Sequence, residues 1–193
     1  MASRGDPNRG QLVVISGPSG VGKTALGSLL MKRYQCRRAV TATTREPRPG
    51  ERDGLDYCFL DREAFLEGVQ AGRFLEHAEV HGHLYGTPVA PLEEQLLSGG
   101  VVLLTIDVQG AGKLMEQRSP ATFVFIEPPD MEELKRRLVE RGSDDADAIA
   151  LRLENAHKEM LSRDRYNFCV VNGEMETAVT ELGSLLGLKK RES

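Results

Sequence analysis

Four short apolar runs punctuate the chain, at Leu12–Ser16, Val101–Ile106, Ala121–Ile126 and Phe168–Val171. Each is too short for a helix and has no polar alternation, the pattern of a strand buried on both faces of a parallel sheet. The segments between them carry helical spacing instead. Leu26, Leu29, Leu30 and Tyr34 follow the first run at such intervals. A helix from about Met131 to Arg141 opens with a capping box, Asp130 to Glu133, and buries Met131, Leu134 and Leu138. Its other side carries Lys135, Arg136 and Arg137. A last helix sets Met175, Ala178, Val179, Leu182, Leu185 and Leu186 on one face and closes the core. Strands and helices in this alternation predict an α/β fold, a parallel sheet flanked by helices.

Two stretches break the rhythm. Residues 41–96 are richer in turn signals and charge and read as an insertion; residues 140–157, where Gly142-Ser143-Asp144-Asp145 stops one helix and caps the next, read as a short helical lid. The core is then 11–40, 97–139 and 158–193. Residues 1–10 are polar, lack the apolar stretch of a secretory signal, and are expected to be a disordered lead-in. Lys189-Lys190-Arg191 is expected to be a solvated tail.

The turn after the first strand carries the most specific chemistry. Gly17-Pro18-Ser19-Gly20-Val21-Gly22-Lys23-Thr24 fits G-x-x-x-x-G-K-[ST] at every fixed position, between a strand and a helix start. Glycines let the backbone curl so that consecutive N–H groups point inward and form an anion nest at the positive end of a helix. Lys23 then reaches the β- and γ-phosphates of a nucleoside triphosphate, and the Thr24 hydroxyl holds Mg²⁺. The expected core is therefore that of a P-loop NTPase.

Bulk properties narrow the partners. The 193 residues are 40% hydrophobic and 28% charged, with a net charge of −4. An acidic balance, with a pI of about 5.7, argues against a broad basic face for nucleic acid. No apolar run approaches the roughly 20 residues of a membrane span. Cys36, Cys58 and Cys169 form no C-x-x-C pair, so no disulfide framework or zinc knuckle is indicated. Cys58 and Cys169 are expected to be core thiols, and a cytoplasmic setting follows. His77, Glu79, His81 and His83 would share a face of an unbroken strand, but they match no tetrahedral zinc spacing and Gly82 is expected to bend the chain.

A second informative segment is Thr43-Thr44-Arg45-Glu46-Pro47-Arg48-Pro49-Gly50-Glu51. Arg45 and Arg48 stand three apart on a proline-stiffened loop, suited to bidentate phosphate binding or, on spacing alone, to a solvated basic loop. Tyr57 and Tyr85 add hydroxyl donors. The longer run from Thr43 through Arg45, Arg48, Gly50, Glu51, Gly54 and Tyr57 to Phe59 resembles the signature of guanylate kinases. So do Gly82-x-x-Tyr85-Gly86-Thr87-Pro88, Ile106-Asp107-Val108-Gln109-Gly110 and the pattern from Lys135 through Arg141-Gly142 to Arg152-Leu153. With Asn172, these motifs span residues 11 to 175 in the family's order.

The resemblance implies specific roles. Arg45, Arg48, Tyr57 and Tyr85 would hold the phosphate of GMP, with Asp107 nearby, while Glu76, Thr41 and Thr87 would face guanine. A carboxylate matches guanine, whose N1–H and 2-amino group donate side by side; adenine would leave Glu76 unpaired. Arg137 and Asn172 would lie around the donor adenine, and Arg141 and Arg152 would come from the lid to the migrating phosphoryl group. The implied activity is Mg²⁺-dependent transfer from ATP to GMP, and to dGMP, in purine nucleotide metabolism by a monomer or homodimer. Alternatives are a kinase of a related phosphorylated sugar or nucleotide, and a non-catalytic guanylate-kinase-like binding module. Thr105 departs from the family, which usually has an acid two residues before this Asp; weaker GMP binding or altered metal dependence is expected.

Overall fold

The computed structural model describes residues 9–80, 82–140 and 145–191. The first strand, β1 (Gln11–Ser16), is buried at every position after Gln11. It sits at the centre of a parallel sheet, between β7 (Val101–Thr105) and β8 (Thr122–Glu127). Beyond them lie β2 (Cys36–Arg38) and β9 (Phe168–Val171), giving the order β2-β7-β1-β8-β9. Successive side chains of a strand point to opposite faces, and β1 divides accordingly. Val13 and Ile15 pack with Leu26 and Leu30 of α1 (Lys23–Arg33) and with Val179 and Leu182 of α7 (Met175–Leu185). Leu12 and Val14 pack on the other face with Leu92 and Leu96 of α3 (Val89–Leu97) and Leu114 of α4 (Val108–Glu116). The uninterrupted apolar character of β1 is thus explained by two cores meeting on one strand.

Residues 42–88 build a second sheet from β3 (Ala42–Thr43), β4 (Cys58–Phe59), β5 (Phe74–Val80) and β6 (His83–Pro88), in the order β4-β3-β6-β5. One helix, α2 (Arg62–Gln70), lies against it, and Phe65 stacks on Phe74 with ring centroids 4.5 Å apart. This small core of Ala42, Phe65 and Leu84 is separate from the two main clusters. Helix α3 is adjacent to the insertion in sequence, yet its buried leucines belong to the main sheet. A third element pair, α5 (Met131–Glu140) and α6 (Ala146–Met160), closes on Leu134, Leu138 and Ala156. A 3₁₀ turn, Arg163–Arg165, then leads into β9.

Several details differ from the sequence expectation. The Asp130 side chain accepts from the Glu133 N–H at 2.7 Å, but Glu133 turns to Arg136 and Arg137 rather than back to the cap. Two guanidiniums outcompete one exposed backbone donor for a carboxylate. Leu185 is exposed, because α7 rotates that position past the edge of the core. Met131 is only half-buried. Cys169 is exposed and Cys58 half-buried, whereas Cys36 is the buried thiol. Both β4 and β9 are edge strands, so one of their faces meets solvent. The Lys189–Arg191 segment is docked through its backbone: Gln35 N–H donates to Lys189 O and Arg191 N–H to Arg33 O, each at 2.8 Å. The Lys189 and Lys190 side chains are exposed, while Arg191 Nε donates to Tyr34 O at 3.1 Å. The proposed lead-in lies outside the described residues up to position 8; Gly10 N–H already donates to Leu96 O at 2.7 Å.

Candidate active site

The loop between β1 and α1 is held from three sides. Gly20 and Gly22 have φ of 92° and 96°, backbone that side chains rarely adopt. A Cβ on Gly20 would lie 2.7 Å from Leu138 of α5, and one on Gly22 2.7 Å from the Asn172 side-chain nitrogen. Asn172, 1% exposed at the end of β9, donates to Val21 O at 2.7 Å. Arg137 reaches the same place from α5. It donates to Asn172 O at 2.9 Å and Gly173 O at 3.2 Å, while its Nε binds Glu133 at 2.8 Å. Arg137 therefore does not share the solvated side of α5 with Arg136, as its sequence position had implied. Ion pairs with Arg136 and Arg137 pull the Glu133 carboxyl down to about 2. The Lys23 ammonium folds over the loop and donates to Gly17 O at 2.6 Å and Pro18 O at 3.0 Å. Thr24 is exposed at the first turn of α1.

The small sheet presents a second polar group. Arg45 Nη2 donates to both carboxylate oxygens of Glu51, at 3.0 and 2.9 Å, and Glu51 also accepts from the Arg48 N–H at 2.8 Å. Burial opposes the charge of Glu51, but these donors outweigh it and hold the carboxyl below its ordinary range. The Arg45 guanidinium lies 5.4 Å from the Tyr57 ring centre, and Tyr57 meets Tyr85 edge-on at 6.3 Å. Arg48 is exposed. Deeper in, Thr41, Glu76 and Thr87 are buried polar residues. Thr87 donates to Glu76 at 2.6 Å. Burial pushes the Glu76 carboxyl up to about 7; the Thr87 hydrogen bond and Lys113 oppose this, and the charge of Asp107 adds to it. Asp107 caps α4 by accepting from Gly110 N–H at 2.9 Å. Gly110 leaves room for Glu76, whose Oε2 would lie 2.7 Å from a Cβ there.

Two groups thus assemble from the residues singled out in the sequence. One joins 17–24 with Arg137 and Asn172; the other joins Arg45, Tyr57 and Tyr85 with the Glu76–Thr87 pair below. Thr24 and Tyr57 line one pocket, which connects the loop to the small sheet. Arg152 is half-buried on α6. Arg141 lies outside the described residues, as do Gly142, Ser143 and Asp144. His81 lies outside them too, and β5 ends at Val80, with Val80 paired to His83 across the hairpin. Glu79 instead pairs with Arg62 at 3.4 Å.

Three further side chains that contact these groups had no role assigned from the sequence. Glu133 precedes Arg136 and Arg137 by three and four residues, a helical ion-pair spacing that was legible. Glu51 stood in the motif without a role, because nothing local shows that the loop folds its carboxylate back onto Arg45. Arg38 belongs to no motif, and only the pairing of β2 with β7 and the fold of the small sheet bring it beside Tyr57.

The guanylate kinase family profile matches residues 9–188. A guanylate kinase of Clostridium perfringens is 46% identical over 184 residues, covering 95% of this chain and 85% of the relative. One from Desulfotalea psychrophila is 46% identical over 188 residues, with 96% and 93% covered. The crystal structure of guanylate kinase from Anaplasma phagocytophilum is similar with a TM-score of 0.76 at 36% identity, covering 93% of this chain and 86% of that one. The profile spans the loop, the arginine segment and β9 together, and the architecture matches as well as the motifs; the chain belongs to the guanylate kinase family.

Proposed function

We infer that the protein is an ATP:GMP phosphotransferase that passes the γ-phosphoryl group of ATP in line to the phosphate of GMP. The products are ADP and GDP, and dGMP, which carries the same base, is accepted too. The observation that carries this reading is the buried Glu76–Thr87 pair on the face of β6 that also carries Tyr85, two residues before Thr87 and edge-on to Tyr57. It supplies carboxylate oxygens for guanine N1–H and its 2-amino group, on the same small sheet as groups suited to a phosphate. Thr41 completes the base contacts, and Arg48 closes over the phosphate from the exposed end of its loop. Glu51 anchors the Arg45 guanidinium through Nη2, which donates to both of its carboxylate oxygens.

The acceptor needs no protein base. A phosphate monoester has a second pKa near 6, so it is mostly dianionic at pH 7. The obstacle is repulsion between two polyanions, and catalysis is positioning plus positive charge. Lys23 serves the β- and γ-phosphates. The loop N–H groups cradle the donor, with Arg137 and Asn172 buttressing the loop and flanking the adenine. Arg45, Arg141 and Arg152 supply charge to the migrating group, and lid closure excludes water as a competing acceptor. The donor set suits Mg²⁺: one exposed threonine hydroxyl, with no His/Cys/Asp/Glu cluster among the described residues, fits an ion held chiefly by phosphates and water. When bound through Thr24, it neutralises charge on the β- and γ-phosphates. No helix of the described residues is long and apolar enough to cross a membrane, and the reading is of a cytoplasmic enzyme of purine nucleotide metabolism.

The reading is tested by ADP release with GMP, dGMP, AMP, UMP, CMP and ribose 1,5-bisphosphate as acceptors. GMP and dGMP should lead by about 10³-fold or more in kcat/KM, the range of a site that rejects a mispaired hydrogen-bonding analogue. Turnover confined to a non-guanine acceptor would defeat it. Glu76 adds a pH signature. Its carboxyl, raised to about 7, accepts from both guanine donors at once only when ionised, since the protonated form turns one oxygen into a competing donor. The ionised fraction rises about tenfold between pH 6 and pH 8 for a group titrating near 7. Binding of guanosine, which lacks the titrating phosphate, should tighten by that factor over this interval. A flat profile would remove Glu76 from the base site.

A further inference from the structure

The pocket that joins the phosphate loop to the small sheet has one charged lining residue, Arg38. Its other polar lining groups are hydroxyls, from Thr24 and Ser28 of α1, Tyr57 just before β4 and Thr105 at the end of β7. No carboxylate of the described residues lines it. Strand periodicity aims Arg38 there. In β2, Cys36 packs into the core beneath α1, so Arg38, two residues on, faces the same side. Arg37 faces the other way and donates to Gln95 O at 3.0 Å. The Arg38 guanidinium lies 5.4 Å from the Tyr57 ring centre, the same distance as Arg45. Tyr57 is therefore flanked by two guanidiniums, one tied to Glu51 and the other in a pocket without an acid.

We propose that Arg38 is a further acceptor-phosphate residue, a guanidinium that binds the GMP phosphate beside the Tyr57 hydroxyl. The proposal deepens the function inferred above and rests on it. A half-buried guanidinium has five N–H donors to satisfy, and hydroxyls alone do not neutralise its charge. A phosphate dianion does both. Thr105 is what keeps this cation available. It lines the same pocket, and Gly27 of α1 lets its hydroxyl approach to within 3.6 Å of where a Cβ would stand. A carboxylate at position 105 would share the pocket with Arg38 and commit the guanidinium to an internal ion pair. The sign expected from the sequence is thereby reversed: threonine at 105 strengthens the hold on GMP, and an acid there weakens it.

Calorimetric titration of GMP and of guanosine into the full-length protein and its variants tests the assignment, with thermal melting as a check of folding. Arg38→Gln keeps a planar polar group against Tyr57 and removes the charge. It should weaken GMP by about tenfold and leave guanosine within about twofold, since one charge-assisted contact is lost and the base site is untouched. Arg38→Lys should retain GMP within about threefold, because the charge remains. Thr105→Asp should weaken GMP in the otherwise unaltered protein and add little to Arg38→Gln, the non-additivity of two changes on one interaction. Equal weakening of GMP and guanosine by Arg38→Gln would reduce Arg38 to packing against Tyr57 and overturn the proposal. So would an unchanged GMP affinity, or tighter GMP binding in Thr105→Asp. If Arg38→Gln does not fold, the Thr105→Asp titration decides alone. An unaltered enzyme that phosphorylates GMP while the variants fail these comparisons defeats only the Arg38 assignment; one that neither binds nor phosphorylates GMP defeats the functional reading and this proposal together.

Discussion

Lys23→Met is expected to lower kcat by about 10²- to 10³-fold or more at saturating ATP and GMP, the range for losing one preorganised charge at a developing anion. The ammonium is already gathered into the loop, where Gly17 O and Pro18 O accept from it. When the β- and γ-phosphates enter, it exchanges neutral carbonyls for anionic oxygens, an interaction that strengthens as charge shifts toward the leaving ADP. Methionine matches the length of the chain but offers no donor. The fold should survive, because the loop keeps its other anchors, from Asn172 to Val21 O and from Arg137 to Asn172 O. The lost bonds to Gly17 O and Pro18 O are replaced in part by water, at a cost of about 1 kcal/mol. Steady-state kinetics and thermal melting measured together check this. A kcat within severalfold of the unsubstituted enzyme would remove Lys23 from the chemistry.

Glu76→Gln is expected to separate stability from specificity, in opposite directions. With its carboxyl raised from 4.5 to about 7, Glu76 binds more protons in the folded state than in the unfolded one between those values. Below pH 4.5 both states are protonated and there is no penalty. As pH rises to 7 the unfolded chain ionises first, so folding stability falls, and above 7 the full penalty of about 3 kcal/mol persists. Glutamine is neutral throughout and still accepts from Thr87. The variant should therefore melt higher than the parent at pH 8 and at the same temperature near pH 4.5. Function moves the other way. An amide accepts through one oxygen and places a donor against one of guanine's two donors, so kcat/KM for GMP should fall by about 10²-fold or more, with AMP little changed. Equal losses for both acceptors would contradict the base-reading role. A lower melting temperature at pH 8 would contradict the burial argument.

These expectations draw on features that differ in how visible they were along the chain. Strands β1, β7 and β8 were legible because they lie inside the sheet with both faces covered and so appear as apolar runs; β9 was legible from its apolar residues although only Val170 is fully buried. The phosphate loop was legible because its constraints are local: positive φ at Gly20 and Gly22, then a helix start. Strand β2 was not, since Cys36-Arg37-Arg38 has no apolar run and exists as a strand only through pairing with β7. The inward turn of Arg137 was hidden because its acceptors, Asn172 O and Gly173 O, are 35 and 36 residues away. Cys169 was placed in the core from its apolar neighbours, but β9 is an edge strand and that face meets solvent.

The amino-acid order alone determined the alternation of strands and helices, the anion-binding turn and the motifs that resemble guanylate kinases. All of these depend on neighbours within a few residues, where sterics and hydrophobic period act directly. Tertiary structure decided which groups meet and in what state of charge. It buried Glu76 beside Thr87 and in the field of Asp107, tied Arg45 to Glu51, and set Arg38 beside Tyr57 in a pocket without an acid. Burial and long-range charge are properties of the packed chain, because they depend on how much water the surrounding elements exclude.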